Sequence, residues 1–182
     1  MMDRQPTLEG ERLLLRPLRE DDRDALYAVC RDPLVWELHP AHDRWQEPVF
    51  AKFFAEALAQ GGALAVIDRH TGAIVGSSRF WAHDPADGGS VEIGWSVLAR
   101  SHWGGATNRE MKRLMLGHAL GAVERVWFRV GETNLRSRRA MEKIGGRLTE
   151  RTETVEMAGR NVVHVIYEID RAGFADGPLK RG

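Results

Sequence analysis

The stretch that most constrains this chain runs from Val91 to Val123, VEIGWSVLARSHWGGATNREMKRLMLGHALGAV. Its first eight residues alternate. Val91, Ile93, Trp95 and Val97 fall on one side and Glu92, Gly94, Ser96 and Leu98 on the other, the period of two of a strand. From Met111 onward the period lengthens. Met111, Leu114, Met115, Ala119, Leu120 and Val123 cover most of a helix, while Arg109, Glu110, Arg113, Gly117 and Glu124 share one arc. Thr107-Asn108-Arg109-Glu110 has the T-x-x-E spacing of a capping box, which predicts the helix start there. Gly104-Gly105 separates the two patterns. A strand that turns through glycines into a helix leaves free N–H groups at the first turn. The helix dipole adds about half a positive charge there, and the glycines let another molecule come close. Such a turn is either an anion cradle or an ordinary connection, and these two glycines alone leave both open.

Composition closes off other classes. The chain has 182 residues, enough for one domain with a sizeable core. Its 26 basic and 26 acidic residues cancel, which argues against a nucleic-acid partner, since that would need a basic excess. Cys30 is the only cysteine, so no internal disulfide and no thiolate metal cluster is expected. Cys30 itself reads as a buried packing residue. His39 and His42 lack partners at metal-ligand spacing, and no metal is expected. Met1 to Gly10 holds no apolar leader, and no run of about 18 apolar residues exists. A cytoplasmic protein with no membrane partner is the expectation.

The remaining elements follow from local patterns. Arg12–Leu18 predicts a strand and Arg19–Arg31 a helix whose acidic start suits the dipole. Asp32–Pro48 is irregular, with Trp36, His39, His42, Trp45 and three prolines. It is either a packed connection or a binding lip. Val49–Gln60 predicts a helix closed by Gly61-Gly62. Ala63–Asp68 and Ala73–Ala82 predict a hairpin that leads to the central strand. Glu124–Glu132 predicts a strand, and Asn134 the N-cap of a helix that runs to Gly145-Gly146. Arg147–Met157 and Asn161–Ile169 predict a closing hairpin through Ala158-Gly159. Residues 171–182 read as a loose tail. The order β-α-α-β-β-β-α-β-α-β-β implies an α/β (α+β) domain over residues 7–170. Its centre would be a mixed, mostly antiparallel sheet with helices on both faces.

Three segments in this order resemble the GNAT N-acetyltransferase superfamily. They are Leu8-Glu9-Gly10-Glu11-Arg12-Leu13-Leu14-Leu15-Arg16-Pro17-Leu18, the stretch from Ser101 to Lys112, and Asn134-Leu135-Arg136-Ser137-Arg138-Arg139-Ala140-Met141-Glu142-Lys143-Ile144-Gly145. They look most like the branch that contains the bacterial ribosomal-protein N-terminal acetyltransferases and their small-molecule relatives. The resemblance implies acetyl-CoA as cosubstrate and an amine as acceptor. It places the pyrophosphate on Trp103, Gly104, Gly105, Ala106, Thr107 and Asn108. The pantetheine would pair near Val97 and Leu98 and meet Asn134. Arg100, Lys112 and Arg139 become candidate partners of the adenosine phosphates, or simply solvated cations. Many members of the family form homodimers, and no stripe in this sequence marks such a surface.

The sequence departs from the family pattern in three places. The glycines fit the usual loop only with a shifted frame, so which amide meets which phosphate oxygen is open. Met141 stands where many relatives have a tyrosine that reprotonates the thiolate, which leaves Ser137 for that role or for a plain first-turn position. Arg129 stands where some relatives have a glutamate base. Glu92, on the central strand, is then the best candidate base, or else a carboxylate paired with Arg79. A backbone N–H at Val97 or Leu98 would meet the oxyanion. The segment from Trp36 to Trp45 and the outward side of Trp81 would line the acceptor pocket, or these aromatics belong to the core. The alternative to an N-acetyltransferase is a non-catalytic acyl-CoA-binding module that keeps the loop without the chemistry.

Overall fold

Alternating apolar residues build eight strands, each able to bury one face against helices. They are β1 (Leu8–Glu9), β2 (Leu13–Pro17), β3 (Ala63–Asp68), β4 (Ile74–Asp84), β5 (Ser90–Leu98), β6 (Arg125–Gly131), β7 (Arg147–Met157) and β8 (Arg160–Asp170). The helices are α1 (Arg23–Cys30), α2 (Glu47–Gln60), α3 (Ala106–Leu120), α4 (Leu135–Lys143) and α5 (Arg171–Asp176). In this computed structural model, which describes residues 1–180, the strands form one sheet in the order β1-β2-β3-β4-β5-β6-β8-β7. Every neighbouring pair is antiparallel except β5 and β6. That parallel ladder joins only Ser90–Glu92 to Arg125–Trp127, and then it stops. The α/β class and the mixed sheet with helices on both faces are as expected.

Each face has its own core. On one, Leu64, Phe80 and Ile93 of the sheet meet Met111, Met115 and Leu116 of α3. On the other, Ala63, Ala65 and Val97 meet Leu26, Phe50 and Phe54 of α1 and α2. Each fully buried large side chain contributes about 1.5–3 kcal/mol. Cys30 is buried in the second core, and burial pushes its thiol up to about 12, so it packs and does not react.

Several boundaries differ from the sequence reading. β1 was not expected. Residues 19–31 are not one helix, because a 3₁₀ turn at Glu20–Asp22 precedes α1. Asp22 stands at the N-cap of α1 but makes no side-chain capping bond to it. Its two oxygens take both arms of the Arg16 guanidinium at 2.8 Å, and one also accepts from Arg19 N. Residues 171–180 are not a loose tail. Asp170 caps α5 by accepting from Gly173 N at 2.7 Å, and Leu179 is buried in the α3-side core. The last two residues of the expected tail lie outside the described part.

The capping box does not form. α3 starts at Ala106 with Gly105 as N-cap and no side-chain cap, which places Thr107 inside the first turn. Glu110 is buried and turned toward the start of β2, where Oε1 accepts from Arg12 N at 2.9 Å and Leu13 N at 3.4 Å. The carboxylate thus ties α3 to the sheet edge. Glu110→Ala leaves two backbone donors without this acceptor and should lower stability by about 1–3 kcal/mol in urea unfolding.

Candidate active site

The turn before α3 is shaped for an approaching molecule. Gly104 and Gly105 have φ of +108° and +109°, in the left-handed region that favours glycine. A Cβ built on either would find no heavy atom within 4 Å, so the space in front of both is open. The first capping bond of α3 runs from Arg109 N to Gly105 O at 2.8 Å, so the amides of Ala106, Thr107 and Asn108 precede it. The loop leading in is tied down twice, by Arg100 Nε to Asp32 Oδ2 at 2.5 Å and by His102 Nε2 to Asp68 Oδ2 at 3.0 Å. Amides without an intrahelical partner at a helix start, on a tied-down loop with open space in front of its two glycines among the described residues, suit an anion.

From this cradle a cleft of about 1050 Å³ runs into the gap where β5 and β6 part. One wall is β5 from Glu92 to Leu98, and the other is β6 from Phe128 to Gly131 with α4. The gap has a local cause. Opposite Ser78 the register of β4 and β5 shifts, and Trp95 takes φ +51°, a strained conformation for a bulky residue. The ring of Trp95 is held by Arg79, whose guanidinium lies 4.5 Å from its centroid, and by the edge of Trp81. The bulge re-aims β5 just where the cleft needs its edge. At the mouth, Trp103 donates Nε1–H to Leu98 O at 3.0 Å, and Arg136 lies 4.2 Å over its ring.

Deeper in, the cleft carries its acid–base groups. Glu92 is 2% exposed and the only carboxylate among the described residues that line the cleft. Burial pushes its carboxyl up, while Arg129, at 3.1 Å, pulls it back. Arg129 also binds Glu153 at 3.2 Å. Three histidines line the cleft as well, of which His102 is held by Asp68 on the loop before α3. His39 accepts from Ala41 N at Nδ1, which leaves the proton on Nε2, and burial lowers it to about 3. His164 is likewise pushed down by burial. Both of these rings are poor proton acceptors, and Lys112, whose amine burial lowers to about 7, is held on Ser96, so Glu92 is the carboxylate placed to take a proton. Across the cleft, Asn134 caps α4 by accepting from Ser137 N at 3.3 Å. Asn134, Ser137 and Met141 all line the cleft.

The structure brings most of the expected residues together: Val97, Leu98, Trp103, Gly104, Gly105, Asn108, Asn134, Ser137, Arg139, Glu92 and Trp36 line one cleft. Ala106 and Thr107 belong to the first turn of α3. Four residues have other settings. Arg100 pairs with Asp32 and stands outside the cleft. Lys112 lines the cleft but is 3% exposed, with Nζ donating to Ser96 Oγ at 2.7 Å, so its amine is not displayed on the surface for an adenosine phosphate. Trp45 is exposed and away from the cleft, and its carbonyl accepts from Tyr27. Trp81 lies against Trp95 with Arg4 over its ring. Glu92 pairs with Arg129, not with Arg79. Trp95 and His164 are cleft residues that sequence reasoning missed, whereas His39 and Arg44 belong to the Trp36–Trp45 segment expected at the acceptor pocket. Lys112 alone among the misplaced residues had a signal, since it lies three and four residues before the buried Met115 and Leu116, on the same stripe.

A family model for the acetyltransferase (GNAT) domain matches residues 12–147, so the chain belongs to the GNAT acetyltransferases. It is an N-acetyltransferase, a class that moves an acyl group from acetyl-CoA to an amine, and the reading as a non-catalytic module gives way. Solved structures share the fold. A GCN5-related N-acetyltransferase from Brucella melitensis is 22% identical with a TM-score of 0.79, covering 97% of this chain and 83% of that one. A GNAT-family acetyltransferase from Bacillus anthracis is 21% identical with a TM-score of 0.72, covering 91% and 98%. Spermidine N-acetyltransferase from Vibrio cholerae, solved with CoA and spermine, is 15% identical with a TM-score of 0.67, covering 92% and 100%. No helix among the described residues is long and apolar enough to cross a membrane.

Proposed function

We propose that this chain acetylates a primary amine, either a protein N-terminus or a small molecule, by direct attack of the amine on the thioester of acetyl-CoA. We also place it in the branch of the ribosomal-protein N-terminal acetyltransferases and their small-molecule relatives. One observation carries the reading: a single cleft joins the open Gly104-Gly105 cradle to the buried carboxylate of Glu92. In the proposed assignment, the free amides at the start of α3 hold the pyrophosphate, and the edge of β5 near Val97 and Leu98 holds the pantetheine. Asn134 fixes α4, which presents Ser137 to the leaving thiolate. Glu92 removes the proton as the amine nitrogen bonds to the acetyl carbon, and the carbon–sulfur bond breaks to release CoA. An α-amine has a pKa near 8 and a lysine amine near 10.4, so roughly a tenth of α-amines are already neutral at pH 7. A modest base is enough for such an acceptor.

Calorimetric titration of the full chain with acetyl-CoA and with desulfo-CoA tests the first half of the reading. Micromolar binding of both is expected. In Gly105→Val a branched side chain is forced to φ near +109°, and its bulk enters the open cradle. Affinity should fall about 30-fold or more. Absence of binding by the parent chain would sink the proposal. Thiol release with a panel of amines tests the second half.

A further inference from the structure

We infer that the acceptor amine carries a carboxylate, and that Arg44 is the group that binds it. The inference rests on the acetyl-transfer reading and names the chemistry of the second substrate. Arg44 lines the cleft, its guanidinium 4.8 Å from the Phe53 ring centroid and 5.5 Å from that of Trp36. Phe53 and Trp36 belong to the core on the α1–α2 face, whereas α3, whose first turn is the cradle, packs on the other face. Arg44 thus lies on the opposite face of the sheet from the body of α3, and we place the acceptor there.

No hydrogen bond or ion pair joins the Arg44 guanidinium to any described residue, and burial lowers it to about 10. After burial the largest influence is the neighbouring Cys30 sulfur, which pulls it back up, then repulsion from Arg79, with Asp43 and exposed Glu56 each attracting it less. The neighbours deepen the imbalance. Arg79 is 2% exposed, lies 6.0 Å from the same Phe53 ring, binds Gln60 Oε1 at 2.9 Å and leaves Nε without a partner. His164 Nδ1 is also buried without a partner, and His39 offers an Nε2–H. The nearby carboxylates of Glu92 and Glu153 are both taken by Arg129. This end of the cleft therefore holds the half-buried guanidinium of Arg44 next to the buried Arg79, with spare donors and no carboxylate bonded to Arg44 among the described residues. A desolvated cation without a counter-charge is costly, and a carboxylate matches the guanidinium fork with two bonds. A polyamine would instead bring a second positive charge into a desolvated cationic site.

The test uses the full chain, acetyl-CoA and matched acceptors: free amino acids, the same amino acids as amides, and Asp- or Glu-led dipeptide amides. Rates from thiol release are compared per neutral amine, because amidation lowers the amine pKa. At least one carboxylate-bearing set should exceed its uncharged counterpart in kcat/KM by about 10- to 100-fold. The preferred set tells an α-carboxylate from an acidic side chain. In Arg44→Gln that preference should collapse toward one, mostly through KM, and Arg44→Lys should restore part of it. Equal rates for acids and amides, a preference for polyamines, or an unchanged preference in Arg44→Gln would overturn the inference. Should no acceptor react, amino acids are titrated into the desulfo-CoA complex. Binding that Arg44→Gln abolishes supports the inference. No binding, with desulfo-CoA itself bound, overturns it while leaving the cosubstrate reading intact.

Discussion

Glu92→Gln should lower kcat by about 100- to 1000-fold while acetyl-CoA affinity stays within about threefold of the parent. Glutamine keeps the shape of the side chain and loses the ability to take a proton. The site is 2% exposed, so bulk water has little access to replace the base. Arg129 keeps its second carboxylate, Glu153, so the substitution does not strand a wholly unpaired cation. The pH profile separates catalysis from architecture. Burial raises the Glu92 carboxyl, so the acid limb of kcat/KM should sit above the usual carboxylate range, with activity rising as the group ionises. The variant should lack that limb. If Glu92 only balances Arg129, the variant will lose stability, keep its turnover and keep the limb. An unchanged kcat would remove Glu92 from the mechanism.

Lys112→Met should stabilise the protein by several kcal/mol near pH 6. Lys112 is 3% exposed, and its amine has one hydrogen bond, to Ser96, and a position 5.5 Å from the Phe128 ring centroid. Burial lowers it from 10.5 to about 7. That drop corresponds to about 5 kcal/mol at 1.36 kcal/mol per pKa unit. The sign follows from proton counts. Below pH 7 both folded and unfolded chains hold the proton, so the folded state carries the whole cost of the buried charge. Between about 7 and 10.5 the unfolded chain binds more protons, and parent stability rises with pH. Above 10.5 both states are neutral and the cost is gone. The gain from methionine should therefore be largest at pH 6, shrink through pH 8 to 10 and vanish beyond. Urea unfolding at pH 6, 8 and 10 reads this directly, and a gain that does not change with pH would contradict it.

How far the sequence could be read depends on whether a feature is local. The hairpins, the β5–turn–α3 unit and the Asn134 cap each rest on neighbours a few residues apart, and each is where the pattern placed it. The capping box failed because Glu110 found better partners in Arg12 and Leu13, about a hundred residues away in the chain. The bulge at Trp95 was illegible because the alternation of β5 runs through it unbroken, and only packing against Arg79 and Trp81 holds the strained residue. Arg44 was equally silent. It lies in an irregular segment with no period, and its isolation emerges only when the carboxylates around it are seen to have other partners. The tail was misread because Phe174 and Leu179 are too few to form a pattern, though both reach the core on the α3 side.

The short β5–β6 ladder also bears on how this protein keeps its own company. A row of unpaired strand amides at the rim of a sheet invites the strands of other molecules, and proteins usually blunt such rims with charge, bulges or cover. Here the unpaired stretch lies inside the sheet, with β6 and α4 as its opposite wall. A slender chain can slip into such a slot, whereas a neighbour's sheet cannot. The molecule can thus leave backbone hydrogen-bonding capacity unspent between turnovers without offering itself as a template for aggregation.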